Sequence, residues 1–183
     1  MRYITRCVTV ATCLLALAVS SAAAQHPQTR KGFWIGFGFG WGSYGISCDG
    51  CSGLGREGSY TGYLKMGGTV GPKLLLGGET VVWTKSEGGA EITAGDVTFN
   101  AYFYPQPAGG FFLNGGVGFS RVEVSGGGSS AGETGPGFTV GAGYDLRVGR
   151  NLSIVPNAQW VYGHTESGFS HNFFHFTLGV TFH

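Results

Sequence analysis

Several groups of side chains in this sequence have types and spacings that could support chemistry. Cys48-Asp-Gly-Cys51 sets two thiols three positions apart. In an exported chain such a pair favours a disulfide. A structural metal would want four ligands, and no second Cys or His pair stands nearby in sequence. His164, Glu166, Ser167, Ser170 and His171 gather hydroxyls, imidazoles and an acid, the ingredients of a serine nucleophile with its base. Ser167 is three positions from His164, however, and on a strand that offset sends the two side chains to opposite faces. Solvated loop residues account for the cluster better. His171 and His175 would share a strand face about 13 Å apart, too far for one metal ion. The many Gly-x-Gly runs are not phosphate loops, because no helical pattern follows them. No cofactor site emerges. What remains is a set of charges, Lys65, Glu79, Asp145 and Arg147, embedded in segments that are otherwise apolar or small.

The elements that carry these residues read as strands. Of 183 residues, 36 are Gly and 14% are aromatic, a composition that disfavours helices and suits strands joined by turns. Between residues 32 and 42, Phe33, Ile35, Phe37, Phe39 and Trp41 alternate with Gly32, Gly36, Gly38, Gly40 and Gly42. Side chains alternate faces along a strand, so one face is a bulky apolar stripe and the other is mostly bare. The two-residue period returns near 58–67, 73–85, 94–104, 110–124, 136–148, 152–162 and 171–183. In these segments Leu64, Val97, Phe99, Phe138, Trp160, Phe174 and Phe176 fall on the apolar face. Lys65, Glu79, Asn100, Asp145, Arg147, Asn172 and His175 are assigned to the other. Arg121 and Glu123 would follow the apolar face of their strand, either above the apolar band or past a bulge. Pro156 removes a ladder donor and is an awkward member of the seventh segment.

At the N-terminus, Arg2 and Arg6 precede an apolar run from Cys7 to Val19, and Ala22-Ala23-Ala24 then fits a signal-peptidase site before Gln25. The run is shorter than the roughly 20 residues of a spanning helix. We therefore expect residues 1–24 to be a signal peptide for Sec export and residues 25–183 the mature domain. Removing Arg2 and Arg6 leaves 11 − 2 = 9 basic against 10 acidic residues. That balance argues for no nucleic-acid partner.

Connections near Gly71-Pro72, Pro105–Gly109 and Gly149–Asn151 are short. Those at 43–57, 86–93, 125–135 and 163–170 are longer and rich in Gly, Ser and Glu. Eight strands with alternating short and long connections imply an all-β, antiparallel, up-and-down transmembrane barrel with both termini at the short-turn end. The assigned interior would hold a charge network in which Lys65 and Arg147 pair with Glu79 and Asp145. Bare Gly36, Gly38 and Gly40 would make room for these side chains. A soluble lipocalin-like barrel would invert the faces, but the apolar face is unusually aromatic for that.

Gly141-Ala-Gly-Tyr-Asp-Leu-Arg-Val-Gly-Arg-Asn-Leu-Ser-Ile154, Gly115-Gly-Val-Gly-Phe-Ser120 and the ending Leu178-Gly-Val-Thr-Phe-His183 resemble the outer membrane protein A-like barrel superfamily. The resemblance covers residues 31–183. It implies a small, closed barrel in a Gram-negative-type outer membrane, with lipid and the barrel assembly machinery as partners. Phe182 would serve as the aromatic assembly signal, although His183 follows it here. A monomer with a structural or surface-interaction role, its external ligand unnamed, is the function expected. A narrow pore or lateral conduit would instead need an interior gap at Gly36–Gly40. Lipid A deacylases are also small barrels, but their Ser stands two residues after the His, a spacing this sequence lacks.

Overall fold

The computed structural model describes residues 30–47 and 55–183. The expected leader over 1–24, its cleavage point at Ala24 and Gln25, and the Cys48 and Cys51 pair lie outside those residues. The described chain forms β1 (Phe33–Ser47), β2 (Glu57–Gly71), β3 (Leu74–Glu87), β4 (Ala90–Phe103), β5 (Phe111–Gly126), β6 (Ser129–Tyr144), β7 (Leu146–Arg147), β8 (Leu152–His164) and β9 (Ser170–Phe182). Neighbours pair antiparallel in the order β6-β5-β4-β3-β2-β1-β9-β8-β7, and β6 pairs back onto β8, so the sheet closes. β6 and β7 are two pieces of one barrel strand separated by Asp145. The result is the eight-stranded antiparallel barrel expected from the alternation.

Pro156 explains the separation. On one side it keeps its place opposite Leu178 of β9. On the other, pairing stops at Gly143 with Asn157 and resumes at Leu146 with Ile154, without any slip of register. A proline has no N–H to donate there, so the rung opposite Tyr144 is lost, while on the other side the Asp145 N–H continues the β5 register by donating to the Gly110 carbonyl at 2.9 Å. The sixth strand is thus interrupted where a continuous one was expected.

Two connections expected to be long loops are tight hairpins. Gly88-Gly89 and Gly127-Gly128 have positive φ at both positions, the requirement of the two-residue turns that match strand twist. β3, β4, β5 and β6 therefore run on as paired ribbon beyond the apolar band. Arg121 and Glu123 sit on that extension, in unbroken register with β4 and β6. No bulge is needed to place them.

The faces divide as a membrane barrel requires. Phe39, Val117 and Phe119 are 73%, 71% and 69% exposed on the outside, whereas Trp34, Trp83 and Phe112 are essentially buried within. Burying one such side chain is worth about 1.5–3 kcal/mol, so an outer band built from dozens of apolar side chains would cost tens of kcal/mol in water. Trp41 packs edge-on to Tyr60, and Phe138 on Trp160 and Tyr162, around the loop end of this band. Asn172 departs from the alternation assigned to it: it lies outward beside Arg56, and His171 and Phe173 take the inward places.

The closed cylinder is narrow. A Cβ placed on Gly40 would stand 1.8 Å from the Phe176 carbonyl oxygen of the neighbouring strand. Gly40→Val is therefore expected to abolish the folded, heat-modifiable form on gels. Gly68→Val, where an added Cβ meets nothing within 4 Å, is expected to retain it.

Candidate functional site

Where a pore would lie, the interior is filled in three layers. At the end carrying both termini, Trp34, Leu75, Tyr102, Tyr104, Phe112 and Val155 form one apolar plug. At the loop end, Tyr44, Tyr63, Val81, Trp83, Val122, Val161 and Phe173 form another. Between them lies a polar belt. Thr61 Oγ1 meets His175 Nδ1 at 3.2 Å, and His175 Nε2 meets Gln159 Oε1 at 3.2 Å. The Gln159 amide and the Tyr102 hydroxyl then donate to Glu79, at 3.3 and 2.8 Å. Thr139 donates to Asn100, which donates to Thr98.

Lys65, Glu79, Asp145 and Arg147 are all buried in this lumen. Lys65 faces Glu79 in the β2–β3 register. Its ammonium lies 4.9–5.2 Å from the ring centres of Tyr63, Tyr102 and Phe112, within range of cation–π attraction. Glu79 takes its hydrogen bonds from Tyr102 and Gln159, as above. Asp145 is the centre of a clamp at the terminal end. The Tyr104 hydroxyl donates to it at 2.9 Å, Arg30 Nε approaches to 3.5 Å and His183 Nε2 to 3.6 Å. Arg30 also stacks 3.5 Å above the Tyr104 ring and donates to the carbonyls of Pro107 and Gly109. Arg147 is buried beside this clamp. Arg30 carried no signal in sequence, because it precedes the first strand and shows no alternation. Among the described residues the buried charges balance: Arg30, Lys65 and Arg147 against Glu79, Asp96 and Asp145.

The Ser/His cluster of the last loop is divided by the sheet. His164 Nδ1 contacts Ser170 on the outside at 3.0 Å, and Ser167 donates to Glu133 across the loop. That bond holds the Glu133 carboxyl below its ordinary range. His171 turns inward, where its Nε2 lies 2.7 Å from Ser120 Oγ. Ser120 in turn donates to Asp96 Oδ1 at 2.6 Å. Sequence separation hid this grouping, since Asp96, Ser120 and His171 come from β4, β5 and β9. It is not arranged for nucleophilic catalysis. The acid takes the serine proton itself, where a working triad sets it on the far nitrogen of the imidazole. All three residues are also sealed inside the barrel.

Above the band, Lys85 lies 2.6 Å from Glu57 and 2.8 Å from Glu87. Hydrogen bonds to these carboxylates raise the Lys85 pKa, and the bond from Lys85 lowers that of Glu87. Among the described residues the loop end carries Glu57, Glu87, Glu91, Glu123, Glu133 and Glu166 against Arg56, Lys85 and Arg121. Phe182, the expected assembly signal, pairs with Ile35 and Leu152 and points outward at the terminal rim.

Comparison with known proteins returns the same architecture. A family model described as "outer membrane protein beta-barrel domain" matches residues 11–182. No curated protein sequence matches. Among solved structures, Neisserial surface protein A is similar at a TM-score of 0.67 and 14% identity, covering 84% of this chain and 98% of that one. Ail, the attachment invasion locus protein of Yersinia pestis, is similar at a TM-score of 0.56 and 15% identity, covering 84% and 100%. Ail in complex with the heparin analogue sucrose octasulfate is similar at 0.56 and 13% identity, with the same coverage. At these identities the likeness is one of fold.

Removing the centre of the clamp leaves buried Arg30 without its carboxylate. Asp145→Ala is therefore expected to lower the unfolding free energy by about 3–5 kcal/mol, read as a fall in the urea midpoint in lipid vesicles. An unchanged midpoint would show the clamp to be energetically idle.

Proposed function

Since the chain belongs to the outer membrane β-barrel family and its barrel sits in that membrane, we propose that it is a closed, non-conducting and non-catalytic surface barrel that presents its β-hairpins to the exterior. The observation that carries this reading is the filled lumen. A pore or conduit would need free space along Gly36, Gly38 and Gly40. A Cβ at Gly36 would meet Thr181 Oγ1 at 2.6 Å, and one at Gly38 would meet the Tyr63 ring at 2.5 Å. The glycines accommodate neighbouring side chains and leave no channel. A catalytic reading loses its support with the Ser/His cluster divided between the two faces of the sheet.

In this account the leader is cleaved after Ala24 following Sec export, and the barrel assembly machinery reads the terminal strand with Phe182. The protein then works as a monomer with the hairpins outside. Its partner is not a sulfated polyanion of the kind seen with Ail. The described loop end carries six carboxylates against three basic side chains, and like charges repel such a ligand.

Two measurements test the reading. In planar bilayers the protein is expected to give no stepwise conductance. Steady channels from the unaltered protein would contradict a closed barrel. Sucrose octasulfate titrated calorimetrically is expected to release no binding heat. Tight binding would place an unrecognised basic surface among the loops.

A further inference from the structure

On the outer face of the wall, just beyond the loop end of the apolar band, one cation is held differently from the others. Arg56, immediately ahead of β2, lays its guanidinium across the outside of β1. A Cβ on Gly45 would stand 2.9 Å from Arg56 Nη1, and Gly45 pairs with Asn172 of β9. Nη1 donates to Asn172 Oδ1 at 2.7 Å, Nε donates to Ser43 Oγ at 3.0 Å, and Nη2 donates to the Ser43 carbonyl. All three acceptors are neutral, so they fix the fork in place and leave its charge uncompensated. Lys85 and Arg121 are bonded to carboxylates. Among the described residues no carboxylate forms an ion pair with Arg56. A guanidinium carries five N–H donors, and those not given to Ser43 and Asn172 remain for a further acceptor.

Two neighbouring features point to the same ligand. The Trp41 indole reaches over Gly58, the next residue after Arg56 on this face, where an added Cβ would stand 2.9 Å from Trp41 Nε1. Trp41 is more than half exposed. Unlike the Trp83 indole N–H, which is committed to the Gly42 carbonyl, the Trp41 N–H has no acceptor among the described residues. Aromatic rings of a membrane barrel sit at the level of the lipid headgroups, so both sets of donors open on the layer that holds lipid phosphates. Toward the middle of the band, a lipid-facing trough of about 430 Å³ follows over Gly62, walled by Phe39, Tyr60, Leu64 and Val82.

From this arrangement we infer that Arg56 and Trp41 form a binding site for the phosphate of a membrane lipid in the leaflet at the loop end. The remaining guanidinium N–H groups and the Trp41 N–H donate to phosphate oxygens, and an acyl chain lies in the trough over Gly62. An arginine fork matches the spacing of phosphate oxygens, and Ser43 and Asn172 hold this one ready. A soluble polyanion would meet Glu87, Glu91, Glu123 and Glu133 on the two hairpins. A lipid phosphate arrives from the side, within the plane of the membrane. Glu57, next to Arg56 in the chain, is bonded to Lys85. This goes beyond the closed-barrel reading. It needs only that the apolar band faces lipid, and its failure would leave the conductance result untouched.

The test uses the mature protein folded in dodecyl maltoside micelles, which contain no phosphate. Dioleoyl phosphatidic acid is the probe. The controls are dioleoylglycerol, which has the same chains without the phosphate, and inorganic phosphate, which has no chains. Binding is read from the indole N–H resonance of Trp41. Phosphatidic acid should shift that resonance saturably, and dioleoylglycerol should leave it in place. Inorganic phosphate should bind at least about tenfold more weakly, because it gains nothing from the apolar trough. Arg56→Gln should weaken phosphatidic acid binding about tenfold or more, the scale of one hydrogen bond between charged groups. Arg121→Gln removes an outward cation already paired with Glu123 and should change binding by less than about twofold. Heat-modifiability on gels establishes that each variant is folded. Four results would overturn the assignment: no shift with phosphatidic acid in the unaltered protein, an equal shift with dioleoylglycerol, inorganic phosphate bound as tightly as the lipid, or folded Arg56→Gln binding no more weakly than Arg121→Gln.

Discussion

Every backbone N–H and C=O inside a lipid bilayer must find its partner within the protein, because no water is there to supply one. A sheet meets that demand only by closing, and here β6 returns to β8 to complete the circuit. Closure at eight strands leaves a lumen wide enough for side chains and little else. The other features follow from that narrowness. Glycines line the inner face of β1 because neighbouring backbone and rings already occupy the space a Cβ would need. Aromatic side chains plug both ends. Among the described residues the ladder lapses opposite Pro156, which has no N–H to give, and the β2–β3 register shifts between Thr69 and Gly71.

The same constraint governs the charges. A buried ion needs a partner or an oriented set of dipoles, and the lumen supplies each by a different device. Rings surround Lys65, hydroxyl and amide donors hold Glu79, and Asp145 is shared by Tyr104, Arg30 and His183. The clamp on Asp145 also gathers Arg30, three residues ahead of β1, and His183, the residue after β9, so both ends of the barrel strand sequence are tied to the point where the ladder lapses. Outside the band the logic reverses. Charges there are solvated, individually weak, and matter through their sum, which is negative among the described residues of the loop end.

Much of this was legible in sequence because a period of two is a strong signal when one face must meet lipid. The alternation of Phe33 through Trp41 with glycines located β1, its apolar face and its crowded inner face. Lys65, Glu79, Asp145 and Arg147 were recognisable as lumenal because a charge on the inner parity of an apolar strand has nowhere else to go. What escaped was set by geometry that no local pattern carries. Trp34 breaks the run of small inner residues and becomes part of a plug. Gly88-Gly89 and Gly127-Gly128 read as loop composition but fold as two-residue turns, lengthening four strands. Asn172 looked like an inner polar residue, yet its parity places it outside. Asp96, Ser120 and His171 stand on three different strands, and only closure of the barrel brings them together.

The central claim is that the aromatic stripe faces lipid and the charged face is enclosed. Trp41 and Trp83 offer a direct comparison, for the Trp83 indole bonds to Gly42, the residue next to Trp41, from the other side of the sheet. Single-tryptophan forms, reconstituted in vesicles with brominated acyl chains, would report which side each indole occupies. The account predicts strong quenching of Trp41 fluorescence and near-complete protection of Trp83. Protection of Trp41 with quenching of Trp83 would mean that the faces are inverted and that the barrel is not a membrane barrel of this kind.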